Sequence, residues 1–184
     1  MRVVIVGDGP GGLSAALFLA KAGTEVIVYG QDKTAMHWAL LRNYLGIPEM
    51  RGSEFQRIAR DQVTTFGARI EPLRVESASK AGDGFQLRLE NGDTVEADYL
   101  ILSEGKSPRL AQQLGLSFDE KNGVTTDVNG RTAVARVYAV GRQHRPGRSQ
   151  AIISAGDGAA AAIDILTEVR GEPFTDWDSP PEGS

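Results

Sequence analysis

Val3-Val4-Ile5-Val6-Gly7-Asp8-Gly9-Pro10-Gly11-Gly12 is the stretch whose reading decides the fold. Its four apolar residues form an uninterrupted run, as a strand buried on both faces of a parallel sheet requires. A GxGxxG turn follows, and then a helical run from Leu13 to Ala22 with Gly23 as its C-terminal stop. A second apolar run, Val26 to Val28, completes a β-α-β unit. Strand before and helix after are the context in which this glycine pattern signals a dinucleotide site. Gly7 permits the tight turn, Gly9 lets the backbone approach a pyrophosphate, and Gly12 lets helix and strand pack closely. The pyrophosphate then faces free N–H groups at the positive end of the helix dipole. Pro10 sets φ for helix entry and gives up a donor the helix cannot use.

Working outward, dinucleotide folds place an acid at the end of the second strand to hold the ribose hydroxyls. Here that strand ends Tyr29-Gly30-Gln31-Asp32, and Gly30 stands where the acid is expected. Three readings stay open: Asp32 reaches back to the ribose, Gln31 does so more weakly, or the ribose is held loosely.

Residues 31–52 read as a long connection with a short helical piece over Met36 to Leu41. Glu54 to Phe66 is an amphipathic helix, with Phe55, Ile58, Ala59 and Val63 on one face. Ser53 is its expected N-cap and Gly67 its stop. Short strands are expected at Ala68–Ile70, Leu73–Ser77, Phe85–Glu90 and Thr94–Ala97, the last two joined through Asn91-Gly92-Asp93. Tyr99–Leu102 reads as a further parallel strand, with shorter pieces at Val124 and Val137–Val140. A short helix is expected around Leu110–Leu114 and a long alanine-rich one over Gln150–Val169. The expected organisation is one domain over residues 1–172 and a polar, frayed tail over 173–184.

Composition narrows the classes. The chain has 184 residues, enough for a sizeable core, and its 41 % hydrophobic and 24 % charged content is globular. A net charge of −4 argues against nucleic acid as a partner. The absence of cysteine removes disulfides, thiolate metal ligands and a dithiol redox centre. No apolar run reaches membrane-spanning length and no signal-peptide pattern precedes the first strand, so no membrane partner and a cytoplasmic location are expected.

Four separated segments then share one resemblance. Beside Gly7–Gly12, Asn43-Tyr44-Leu45-Gly46-Ile47-Pro48 looks like an NYPG(I/F)P loop, and Val137-Tyr138-Ala139-Val140-Gly141 resembles vYAaGD. Gln150-Ala151-Ile152-Ile153-Ser154-Ala155-Gly156-Asp157-Gly158 resembles QAi.sAG.G. In order and spacing the chain resembles the FAD-binding domain of thioredoxin-reductase-like flavoproteins of the pyridine nucleotide-disulfide oxidoreductase type. That resemblance implies an α/β, Rossmann-like FAD/NAD(P)-binding domain: a parallel sheet with a small β-meander, three layers β/β/α. The two-domain reductases insert an NADPH domain with a Cys-x-x-Cys, for which Leu102 to Val124 leaves no room.

The resemblance also implies roles. Gly7, Gly9, Pro10, Gly11 and Gly12 hold the FAD pyrophosphate, and Gly30, Gln31 and Asp32 lie along the adenosine ribose. Asn43 meets the flavin ring system. Val75 bonds the adenine edge through its backbone, and Ser103-Glu104-Gly105 replaces the usual ATG beside the adenosine. Gly141 and Arg142 match the family's GD pair, with Arg142 in place of the aspartate of the ribityl and phosphate region. Gln150 and Ala151 open a helix whose dipole stabilises negative charge on the flavin pyrimidine. Trp38 either stacks on the flavin or fills core or interface. His37 is either a proton donor to the flavin or structural. The loop Arg142–Arg148 either binds phosphates or is a solvated surface, and Asp157 and Asp164 read as polar-face residues.

Two function classes follow. One is an FAD-dependent oxidoreductase domain that takes electrons from NAD(P)H or a redox partner protein and passes them to an acceptor without a dithiol. The other is a non-catalytic FAD- or nucleotide-binding module that works through a partner. Binding of NAD(P) in place of FAD is a third reading, which the Asn43 and Gln150 segments disfavour. Such FAD domains commonly pair, so a homodimer is an expected assembly.

Overall fold

In the computed structural model, which describes residues 1–180, the chain runs in order through twelve strands and four α-helices. They are β1 (Arg2–Val6), α1 (Pro10–Lys21), β2 (Glu25–Tyr29), β3 (Leu40–Leu41), β4 (Met50–Arg51), α2 (Gly52–Thr65), β5 (Arg69–Glu71) and β6 (Val75–Ala81). There follow β7 (Gly84–Leu89), β8 (Thr94–Ala97), β9 (Tyr99–Leu102), α3 (Arg109–Gln113), β10 (Phe118–Asp119), β11 (Gly123–Val124), β12 (Val137–Ala139) and α4 (Ala151–Arg170).

Five strands form a parallel sheet in the order β12-β9-β1-β2-β5, with β1 at the centre. Successive side chains of a strand point to opposite faces, and both faces of β1 are covered. Val3 and Ile5 pack with Leu13, Leu19, Ala161 and Ile165 of α1 and α4. Val4 and Val6 pack with Leu87, Leu89 and Ala97 of the antiparallel meander β6-β7-β8. The layers are therefore meander, sheet and helices, which is the expected three-layer α/β architecture. Two apolar surfaces on one strand also explain why Val3–Val6 shows no polar alternation.

Several local expectations change. The helical piece near Met36 is a 3-10 turn over Ala35–Trp38, because Leu40 and Leu41 turn away to pair with β4. Helix α2 begins one residue before Ser53: Arg51 is its N-cap, and Ser53 is exposed in the first turn. Its buried face is rotated from the apolar pattern, with Gln56 inside and Ile58 exposed. The reason is polar: Gln56 Nε2 donates to the Asp8 carbonyl at 2.6 Å. The strand expected from Leu73 begins at Val75, and the pair β10-β11 was legible only at Val124.

The segment after Gly171 is docked through residue 178. Phe174 packs against the core beneath the Arg170 guanidinium, 4.4 Å from its ring centre, and Phe174 N donates to Thr167 Oγ1 at 3.1 Å. Lys21 Nζ reaches Asp176 at 2.7 Å and Asp178 at 2.5 Å. Residues 181–184 of the expected tail lie outside the described residues.

Candidate functional site

The site grows from the C-terminal ends of β1, β2 and β9, where a parallel sheet leaves a crevice. Gly7 leaves β1 at φ +106°, and a Cβ there would lie 2.1 Å from the Ser103 carbonyl oxygen. A Cβ on Gly12 would lie 2.0 Å from the Gly7 carbonyl oxygen. These two glycines serve backbone packing. Gly9 differs, since a Cβ there would meet only Thr34 Oγ1, at 3.7 Å. Its openness faces a cavity of about 450 Å³.

Two helices start at that cavity without a side-chain cap. Gly9 caps α1 with no side chain to offer, and Gln150 makes no capping bond to α4. The first N–H groups of each helix therefore have no partner within the helix. Gly9, Pro10 and Gly11 of α1 and Ala151 and Ser154 of α4 line one continuous wall. The helices lie close here because both are small: a Cβ on Gly158 would sit 2.0 Å from the Gly11 carbonyl oxygen.

The cavity is also lined by Gly30, Gln31, Val75, Glu104 and Gly105, and by Gly141, Arg142 and Ser149 from the segment before α4. The structure thus brings Gly7, Gly9, Pro10, Gly11, Gly30, Gln31, Val75, Gly105, Gly141, Arg142 and Ala151 together around it. Gly12 stands behind the turn. Asp32, Asn43 and Gln150 are outside the lining. Asn43 Nδ2 donates to Gln150 Oε1 at 2.9 Å, which ties the β3-β4 hairpin to the start of α4. Trp38 is 92 % exposed and so fills no core in this chain. His37 is turned to Asp32, with Nε2 2.8 Å from its carbonyl oxygen and 3.0 Å from Oδ1.

Three buried polar arrangements shape the walls. Asp8, 5 % exposed, accepts from Asp32 N at 3.0 Å through Oδ2, and the same oxygen pairs with the Arg60 guanidinium. Burial pushes the Asp8 carboxyl up, with the Arg60 charge pulling the other way. In the segment after β9, Glu104 is likewise pushed up by burial against the pull of Arg109, whose Nη2 lies 3.0 Å from Glu104 Oε1. Arg109 Nη2 also donates to the Val75 carbonyl at 2.6 Å. Of the Val75 backbone, expected to bond the adenine edge, the carbonyl is thus engaged by Arg109. Fully buried Gln143 braces the loop after β9, accepting from Glu104 N at 2.9 Å and donating to the Ser107 carbonyl at 3.1 Å.

The basic loop divides. Arg142 lines the cavity and donates to Ser149 Oγ at 3.1 Å. His144 and Arg145 turn to Asp157, with Nε2 to Oδ2 3.0 Å and Nε to Oδ1 3.2 Å. Asp157 is thereby a half-buried partner, and so is Asp164, which accepts from Tyr138 Oη at 2.7 Å and from Arg131 Nε at 2.5 Å. Sequence reasoning missed Asp8, Arg60, Gln56 and Gln143. Only Gln56 left a signal, as an amide in the stripe that the burial of α2 requires.

This arrangement defines a class: a three-layer α/β protein with a nucleotide-type glycine turn and two helix N-termini on one cavity. The profile of the pyridine nucleotide-disulphide oxidoreductase family matches residues 1–71 and 42–157, and the chain belongs to that family. It is 32 % identical over 130 residues to a thioredoxin reductase of Helicobacter pylori, covering 66 % of this chain and 41 % of that protein. It is 28 % identical over 173 residues to a ferredoxin–NADP reductase of Ignicoccus hospitalis, covering 90 % of this chain and 52 % of the other. The chain thus spans about half or less of these relatives. Among solved structures, the atypical thioredoxin reductase TRi of Desulfovibrio vulgaris Hildenborough superposes with a TM-score of 0.84 at 19 % identity, over 94 % of this chain and 99 % of that one. A thioredoxin reductase of Gloeobacter violaceus gives 0.87 at 17 % identity, over 97 % and 98 %. At such identities the likeness is one of fold.

Proposed function

We propose that the chain is an FAD-binding oxidoreductase domain that takes electrons from NAD(P)H or a redox partner protein and hands them to an acceptor. The observation that carries this reading is the convergence of two long, uncapped helices, α1 and α4, on one glycine-lined cavity. The residues fit the group. Gly9 leaves room for a diphosphate at the start of α1, which favours negative charge. Gly30, Gln31 and Val75 flank the adenosine half. Gln150 and Ala151 start α4 at the flavin half, where the helix dipole favours a ring that gains negative charge. FAD, when bound, supplies two-electron redox chemistry, so the protein needs to position, charge and shield the ring.

Arg142 alters one subsite. A guanidinium donates and cannot accept, so it pairs with phosphate where an aspartate would accept from ribityl hydroxyls. This substitution, together with a chain free of cysteine, favours a second reading: a nucleotide-binding module without turnover.

The test is a visible absorption spectrum of the purified protein, with the chromophore identified after heat release. Bound FAD that bleaches with NADH or NADPH and reoxidises with an acceptor supports the oxidoreductase. Bound FAD inert to both nucleotides supports the module. A colourless protein that takes up no added FAD overturns the flavin assignment.

A further inference from the structure

The acid that dinucleotide folds carry at the end of the second strand is missing at Gly30, and the space it would start from is filled. A Cβ built on Gly30 would lie 2.3 Å from Asp8 Cγ and 2.7 Å from Asp8 Oδ1. The carboxyl group of the glycine turn therefore stands at the root of the absent side chain. We infer that Asp8 is the residue that holds the ribose hydroxyls of the adenosine half of the bound nucleotide, having taken over from the end of β2.

Elimination leads to the same residue. Asp32 does not line the cavity, and its Oδ1 lies 3.0 Å from His37 Nε2. Gln31 lines it with both ends of its amide engaged: Nε2 donates to Glu90 Oε1 at 3.2 Å, and Oε1 accepts from Lys33 Nζ at 3.3 Å. Asp8 lines the cavity too, and the bonds it accepts from Asp32 N and Arg60 both go to Oδ2, which leaves Oδ1 engaged by neither. An ionised carboxylate only accepts, so a free oxygen at this place suits hydroxyl donors.

A carboxylate inside a diphosphate turn would ordinarily repel its ligand. Arg60 removes that objection by pairing with Oδ2 from α2, while Gln56 of the same helix holds the Asp8 carbonyl. The start of α1 beside it favours negative charge as well. Asp8 and Gly30 consequently form a matched pair, because a larger residue 30 and the Asp8 carboxyl would occupy one volume.

This inference rests on the nucleotide reading above, and the test separates the two. The full chain, freed of bound nucleotide, is titrated calorimetrically with ADP and with its dideoxyribose analogue. The wild type is expected to favour ADP about tenfold, the scale of a hydrogen bond to a charged acceptor. Asp8→Ala is expected to bind both ligands alike. Asp8→Ala with Gly30→Glu is expected to restore the preference, whereas Gly30→Glu alone unfolds at lower denaturant. A wild type that binds the two ligands equally overturns the role of Asp8 and leaves the nucleotide site standing, and so does an Asp8→Ala protein that keeps the preference. Failure of the wild type to bind ADP at all overturns the nucleotide reading itself. The wild-type ratio decides the matter even if a variant does not fold.

Discussion

Gly9 and Gly12 lie three residues apart in one turn, yet they respond to different demands. Substituting Gly12 by Ala drives a methyl to 2.0 Å from the Gly7 carbonyl oxygen, so a backbone shift costing about 1–3 kcal/mol is expected in urea denaturation. Gly9→Ala meets only Thr34 Oγ1, at 3.7 Å, in the free protein and should leave the denaturation midpoint nearly unchanged. It should nevertheless weaken FAD uptake at least tenfold, measured by fluorescence titration, because the side chain enters the space proposed for the diphosphate. Tyr99 supplies a pH prediction. Burial, and then its bond to Glu168 Oε1 at 2.8 Å, push its phenol up to about 12. An unfolded tyrosine ionises near pH 10. The folded state therefore binds the proton more tightly, and the stability this contributes is present below pH 10 and lost as pH rises toward 12. Denaturation midpoints across that window should fall less steeply in Tyr99→Phe.

At the scale of elements, the contact of α1 with α4 sets the site. Gly158 contributes nothing to the cavity wall, yet its missing Cβ lets α4 reach the Gly11 backbone. Gly158→Ala is expected to push the helices apart, lower stability by about 1–3 kcal/mol and reduce FAD affinity together. Gly156, two residues earlier, is exposed with nothing within 4 Å of a built Cβ. Gly156→Ala should therefore raise stability by about 0.5–1 kcal/mol, through helix propensity, with FAD affinity unchanged. Paired denaturation and flavin titrations on the two variants check both, and equal effects would refute the packing argument.

At the scale of the whole molecule, the C-terminal segment fastens the end of α1 opposite to the site. Lys21 is eleven residues beyond Pro10, or about 16 Å along the helix at 1.5 Å per residue. Removing residues 173–184 deletes the Phe174 packing and both Lys21 partners. The truncated chain is expected to melt several degrees lower, as about 1–2 kcal/mol for a half-buried aromatic implies, with the ion pairs adding little. Flavin affinity should hold. Added salt should narrow the melting difference only slightly, because the ion pairs carry the smaller share.

The sequence by itself determined the β-α-β opening, the parallel sheet and the meander, because these follow from local signals. An apolar run with no alternation, a glycine turn and an Asn-Gly hairpin each act within a few residues. Most of the residues it singled out also line the cavity, among them Gly7, Gly9, Gly11, Gly30, Val75, Arg142 and Ala151. Only the tertiary structure decided what the polar side chains do. The sequence singled out neither Gln56 nor Asp8, and Asp157 and Asp164 read as polar-face residues. Each is buried or half-buried against a partner elsewhere in the chain: the Asp8 carbonyl, His144, Tyr138 and Arg60. Buried polar groups must be satisfied, but one chain of residues does not announce which distant group will do so. Such pairings are set by how the layers pack.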